Sequence, residues 1–295
     1  MKKTQITFFA NIKIDEISRL NRFKKSFYSI KSIKPDLWVI NIRGKFSKFA
    51  YAFLKKNIKK NKLILFKLNS KLGWFYDTRK MLAYIKTELV FIWNEDYIYN
   101  SKLHSILNII KDMHKLKIDQ FQYSIGPETE KIYRILGCKE TKFFYYKKID
   151  KKINLKLRKF NQIIEYKNKY NKYIISACSI LNLKTFRKVV LSNHPPIKRW
   201  SKYSPYDFEK SHLDLDFLPI TIAFPKNIYL FKDIDYERIG SSVYLENGIY
   251  KLKKNYLIFK IIKLPAKIII IFLRELLNSL LLKLFKKKYL YAEKN

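Results

Sequence analysis

The sequence predicts an α/β fold: a mostly parallel central sheet flanked by helices, then an irregular second half and a C-terminal amphipathic helix. Three observations carry this expectation. Short β-rich apolar runs recur at residues 4–10, 37–42, 63–68 and 89–93, separated by segments whose apolar residues repeat every three or four positions. Strands alternating with helices at this spacing need crossover connections, and hence parallel pairing. The run at 89–93 is unbroken rather than alternating, as in a strand covered on both faces, and 37–42 reads as a second buried strand. Finally, 48% hydrophobic content over 295 residues suffices for one large core or two smaller ones.

The elements follow in order. The first run stops at Asn11, and Ile17, Leu20, Phe23, Phe27 and Ile30 then mark one face of a helix. Asp15 and Glu16 are expected in its first turn, where the helix dipole favours acids. Pro35-Asp36 ends that unit, and the second run closes on Arg43-Gly44. A second helix carries Phe46, Phe49, Ala50, Phe53 and Leu54, and the third run follows at 63–68. Gly73-Trp74 opens a helix with Thr78, Met81, Leu82 and Ile85 on one face. The fourth run, Leu89-Val90-Phe91-Ile92-Trp93, breaks abruptly into Asn94-Glu95-Asp96. A helix on Leu103, Ile106, Leu107 and Ile110 and a short strand at 119–124 come next, before the Gly126-Pro127 break.

Beyond that break the pattern loosens. Residues 128–136 read as a short helix and 142–148 as a strand. The Lys- and Asn-rich stretch 147–172 reads as an exposed amphipathic helix, and 173–191 returns to core-like composition. His194-Pro195-Pro196 begins an aperiodic stretch, rich in aromatic and acidic residues, that reaches about Asp216. After Pro219, residues 220–224 and 228–231 read as strands of a smaller, irregular second half. From 256 to 288 Leu and Ile dominate, interrupted at helical spacing by Lys260, Lys263, Lys267, Arg274, Glu275, Asn278, Lys283 and Lys286. These charges recur too often for a membrane span of about 20 largely uncharged residues. The tail therefore reads as an in-plane helix on an anionic membrane surface, or as a helix packed on protein.

The formal charge of +38 would ordinarily suggest nucleic acid or an anionic membrane. However, 52 of the 62 basic residues are Lys, and Lys, Ile, Asn and Tyr are enriched together. Base readout relies on Arg forks, so specific nucleic-acid binding is not expected. Cys138 and Cys178 lack CxxC spacing, which argues for reduced thiols and against a zinc site or a disulfide framework. The apolar stretch 6–10 is too short for a signal-peptide core, so a cytoplasmic protein, peripheral at the inner face of the membrane, is expected.

Familiar phosphate-binding devices are absent. Gly occurs six times, there is no GxGxxG, and Gly44-Lys45 lacks the upstream glycine of a P-loop. No GxSxG elbow occurs, and His104, His114, His194 and His212 show no metal-ligand spacing. The Asn94-Glu95-Asp96 break has two readings. Its carboxylates emerge at a sheet edge and hold a divalent cation, or they simply open a loop.

The order of pieces over residues 4–125 resembles the family-two-like glycosyltransferases of the GT-A, Rossmann-like fold. The resemblance implies a nucleotide-sugar site from Asn11 after the first strand, Arg22 (with Ser26) on the first helix, and Asn41 and Arg43 closing the second strand. Arg79, after the Gly73 loop, and Asn94 and Glu95 complete that site. The family's Asp-x-Asp metal motif falls on Asn94-Glu95-Asp96, which makes Asp96 the direct ligand of a divalent cation, Mg or Mn. Asn41 and Asn94 stand where the family usually has an acid, which implies altered metal dependence or an inactive relative. Arg79 is otherwise a helix-surface residue.

Inverting members assign proton removal from the acceptor to a carboxylate in the second half. Asp207 and Glu209 are the candidates, with a loop salt bridge to Lys as the alternative. His194 and Trp200, with Tyr203 and Tyr206, form an acceptor-sugar platform or an aromatic loop core. The resemblance divides the chain into a nucleotide-sugar-binding half (1–125), an acceptor-side half of the same domain (126–250) and the basic tail (251–295). The implied activity is inverting, metal-dependent transfer of a sugar from a nucleotide-diphosphate donor to a glycan or lipid-linked saccharide. The alternatives are a non-enzymatic basic protein that binds nucleic acid or lipid, and a catalytically inactive glycosyltransferase-like protein.

Overall fold

The computed structural model describes residues 5–70, 72–100, 103–124, 137–154, 175–192, 217–226 and 230–233. The chain forms two compact units, Met1–Ile234 and Asp235–Asn295, and the second, with the basic tail, lies outside the described residues.

The first unit is built on a nine-stranded sheet. Its left half contains β1 (Ile6–Lys13), β2 (Leu37–Arg43), β3 (Leu63–Phe66) and β4 (Leu89–Ile92) in the order β3-β2-β1-β4, all parallel. Helices α1 (Ile17–Ile30), α2 (Ser47–Asn57) and α3 (Trp74–Met81) supply the crossovers. Two further strands, β6 (Gln120–Gln122) and β10 (Ile220–Pro225), run parallel to each other. Between β4 and β6 lies β9 (Ser179–Asn182), antiparallel to both and followed directly by α5 (Leu183–Leu191). Antiparallel β8 (Phe144–Ile149) and short β7 (Lys139–Glu140) finish the sheet beyond β10. Away from it, β5 (Tyr97–Tyr99) pairs with β11 (Phe231–Asp233), and α4 (Leu103–Lys115) precedes β6.

The α/β expectation of a mostly parallel sheet holds, with local corrections. β1 runs through Asn11 to Lys13, because Ile12 and Lys13 still pair with Ile42 and Arg43. Glu16 is the N-cap of α1 rather than a first-turn residue. The strand at 220–225 belongs to the main sheet, and 173–191 supplies both the antiparallel strand between β4 and β6 and a covering helix. The predicted helix at 128–136, most of the amphipathic stretch 147–172 and the tail helix lie outside the described residues.

Strand alternation divides the core between two faces. Phe8, Ala10, Trp38, Ile40, Phe91 and Trp93 point towards α1, α2 and α4. Phe9, Val39, Val90 and Ile92 point towards α3 and α5. The first face is aromatic: Phe8 stacks on Phe91 at 4.5 Å, and Phe23 of α1 on Trp93 at 5.0 Å. Each such fully buried ring contributes roughly 1.5–3 kcal/mol. This packing fixes α1 against that face of the sheet, with Phe23 on Trp93 just past the end of β4. Among the described residues no helix is long and apolar enough to cross a membrane.

Candidate functional site

Between β1 and β4 the chain's direction of travel reverses. Successive units step from β1 out to β2 and β3, then return to β4 on the other side of β1. In open α/β sheets a crevice forms at the carboxyl ends of such neighbouring strands, and ligands bind there. The last bond between the two strands is Trp93 N–H to Phe9 O, at 2.8 Å. Asn11 and Asn94 each lie two residues beyond the paired Phe9 and Ile92, and Asn41 lies opposite Asn11. Three asparagines thus stand at one level on three adjacent chains.

Two of them close a buried network. The Asn41 amide donates to Asn11 Oδ1 (3.0 Å) and Leu68 O (3.1 Å), and its oxygen accepts the Leu68 N–H (2.8 Å). Asn11 in turn donates to Trp74 O (3.1 Å) and Thr78 Oγ1 (3.0 Å), while Trp74 Nε1 donates to Asn11 O (2.9 Å). Both amides are buried, Asn41 completely. Positioned for nucleotide reading by the resemblance, they fasten the 67–73 loop and the start of α3 onto the sheet. Gly73 enters that helix with φ +99°, a conformation glycine adopts at no steric cost.

The Asn94-Glu95-Asp96 turn is held from several directions. Asn94 Nδ2 donates to the Tyr123 hydroxyl (3.1 Å) and Ala177 O (3.2 Å), and the Tyr123 hydroxyl donates to Ile92 O (2.8 Å). Ser26 of α1 accepts from Trp93 Nε1 (2.9 Å) and donates to Tyr97 O (2.5 Å). Glu95 is buried and ion-paired with Arg19, which is about one-third exposed on α1. Asp96 is half-buried. Beside it, burial pushes the Tyr97 phenol well above its usual range, reinforced by Cys178 and by the Asp96 carboxylate. Ser124 donates to this phenol oxygen at 3.3 Å.

The remaining candidates are distributed unevenly. Arg22 is buried one turn after Arg19, and Arg43 is buried at the end of β2 opposite Lys13. Arg79 does not lie free on a helix surface: its guanidinium donates to Val190 O (3.0 Å), Leu191 O (3.3 Å) and Ser192 O (3.1 Å), capping α5. Asp207, Glu209, His194 and Trp200 lie outside the described residues. Arg19, Tyr97 and Tyr123 were not singled out by sequence, and Cys178 only as a reduced thiol. Of these only Arg19 had a signal, as the residue one turn before Arg22 on the same helix face.

Among the described residues no three His, Cys, Asp or Glu side chains gather as a metal-binding group. With Glu95 neutralised by Arg19, the turn offers the Asp96 carboxylate and the Asn94 amide oxygen. That donor set suits a hard cation that takes one or two protein oxygens and completes its shell with substrate phosphates and water.

No protein-family model and no curated protein matches the chain. Among solved structures it is similar to TarS of S. aureus, at 10% identity and TM-score 0.41, over 75% of this chain and 36% of that one. It thus spans about a third of the length of TarS. It is also similar to 4-diphosphocytidyl-2C-methyl-D-erythritol synthase from Anaerococcus prevotii, at 11% identity and TM-score 0.40, over 83% of this chain and 97% of that one.

Proposed function

We propose that this chain is a glycosyltransferase that binds a nucleotide-diphosphate sugar in the crevice between β1 and β4 and moves the sugar to a glycan or lipid-linked acceptor. One observation carries the reading: a polar turn with a half-buried carboxylate, Asn94-Glu95-Asp96, stands where the strand order of a parallel sheet reverses. Asp96, with the Asn94 amide oxygen, would hold a divalent cation. Such an ion supplies Lewis acidity to the departing diphosphate. The Arg19–Glu95 pair holds the turn against α1, and the Asn11–Asn41 network fixes the facing wall, so the crevice is formed before ligand arrives. Asp207 or Glu209 is the proposed base that takes the acceptor's proton.

Thermal shift with a panel of nucleoside diphosphates and nucleotide sugars, with and without Mn²⁺, tests this. Ligand at a hundred times its Kd should stabilise the native state by about 2.7 kcal/mol. Asp96→Ala should abolish the metal-dependent part. No response to any nucleotide refutes the reading. Binding without sugar transfer would favour the inactive relative, a second reading supported by Asn94 in place of an acid.

A further inference from the structure

We propose that the outer face of α1 and α2 docks the protein onto an anionic phospholipid bilayer. Residues 17–67 contain fifteen Lys and Arg against one acid, Asp36. This stretch is about a sixth of the chain yet carries more than a third of its +38 net charge, so the concentration exceeds the chain-wide lysine enrichment. The structure sorts these cations. Arg19 pairs with Glu95, and Arg22 and Arg43 are buried, whereas Lys25, Lys48, Lys55, Lys56 and Lys59 are exposed.

The two helices form one continuous surface. Phe53 of α2 contacts Tyr28 of α1 at 5.5 Å, and Lys24 Nζ lies 5.8 Å from the Phe53 ring centroid. Among the lysines, Phe49 is 63% exposed and Tyr28 55% exposed. Positions 48, 52, 55 and 56 fall on one side of α2 with 49 beside them, and Lys59 follows just past the helix end, so the ring stands among lysine positions. An apolar ring among lysines on a helical layer suits the headgroup boundary, where the ring enters the acyl edge and the ammonium groups meet phosphates. Charge decides among occupants. A second copy of this face, or the basic stretch 256–288, would meet like charge. Nucleic acid is less well matched, because the exposed cations are Lys without Arg forks and the two helices form a layer rather than a groove.

No residue of this face belongs to the candidate site, so vesicle binding and nucleotide response can fail independently. The full chain is tested by co-sedimentation with phosphatidylcholine vesicles, with and without about one-third phosphatidylglycerol. Wild type should partition to the anionic vesicles. Neutralising three lysines in Lys48→Gln/Lys55→Gln/Lys56→Gln should lower partitioning by about a hundredfold, each contributing about fivefold. The charge-matched Lys80→Gln/Lys184→Gln/Lys188→Gln, on the α3 and α5 side, should lose less than about tenfold, since a face turned from the bilayer feels its potential only through screening. Phe49→Ser, which leaves the charge unchanged, should also weaken vesicle binding. The proposal is overturned if wild type does not prefer the anionic vesicles, if both triple variants lose equally, or if the α2 variant loses duplex DNA rather than vesicles.

Discussion

Replacing Asn41 tests whether the buried amide network holds the wall of the crevice. Asn41→Ala removes three hydrogen bonds and leaves Asn11 Oδ1 and both Leu68 main-chain groups without that partner. At about 1 kcal/mol net for each bond, the cost is about 3 kcal/mol, more if the orphaned groups stay dry. With a urea dependence of about 2 kcal/mol per molar, the unfolding midpoint should fall by about 1.5 M. Amide exchange at Leu68 gives the local counterpart, since this N–H loses its acceptor. Asn41→Asp is nearly isosteric, yet it should also destabilise. One carboxylate oxygen can still accept from Leu68, but the other faces two acceptors, Asn11 Oδ1 and Leu68 O. The folded state must then hold the carboxyl protonated, raising its pKa above the unfolded value of about 3.9. The sign follows: the variant is least impaired below about pH 4 and loses stability as pH rises through the raised folded pKa. Asn41→Ala should show no such dependence. Wild-type stability of Asn41→Asp at pH 7 would mean that the side chain faces solvent or ligand, and the network argument would be wrong.

Further outcomes follow from other contacts. Arg79→Ala should cost about 1–2 kcal/mol by uncapping α5, and Arg79→Lys should not recover it, because one ammonium cannot reproduce the fork; differential scanning calorimetry checks both. Gly44→Ala should destabilise by about 2 kcal/mol or more in urea. Gly44 has φ +99°, and a Cβ there would lie 2.5 Å from Ile14 O, where backbone cannot yield. Stability should fall above about pH 10, where tyrosines of the unfolded chain ionise while Tyr97 and Tyr99 keep their protons, the latter pushed by burial up to about 12. Tyr97→Phe and Tyr99→Phe should each flatten that decline in urea midpoints; an unchanged slope would refute the assignment.

The left half of the sheet was legible because its signals are local. The apolar runs at 37–42 and 89–93 have the length and composition of doubly covered strands, and the helices between them repeat cleanly. Polar residues interrupting or closing the apolar runs were legible too, so Asn11, Asn41 and Asn94 were found by position, although β1 and β2 each continue two residues past their asparagine. Their partners were not. That Asn41 donates to Asn11, or that Asn94 reaches Tyr123 and Ala177, depends on strand order, which local periodicity does not encode. β9 is four residues inside a stretch that composition reads only as core, and β5 and β11 have three residues each, too few for a period to show. Arg79 illustrates the same limit: its helix and face were readable, but the three carbonyls it caps come from a segment more than a hundred residues away.

The position of β9 bears on how the chain reaches this structure. β4 acquires its second neighbour only from residues 179–182, about ninety positions later, while its first, β1, is already made. During synthesis the four-stranded parallel half can assemble around the aromatic layer of α1 and α2, yet it must wait with the apolar edge of Leu89–Ile92 uncovered. Open apolar edges are templates for pairing with other chains. Until β9 arrives, the strand beside the candidate site is thus the one most prone to mispair, and slow delivery of residues 179–182 should lower the yield of folded protein before it affects the fold's final stability.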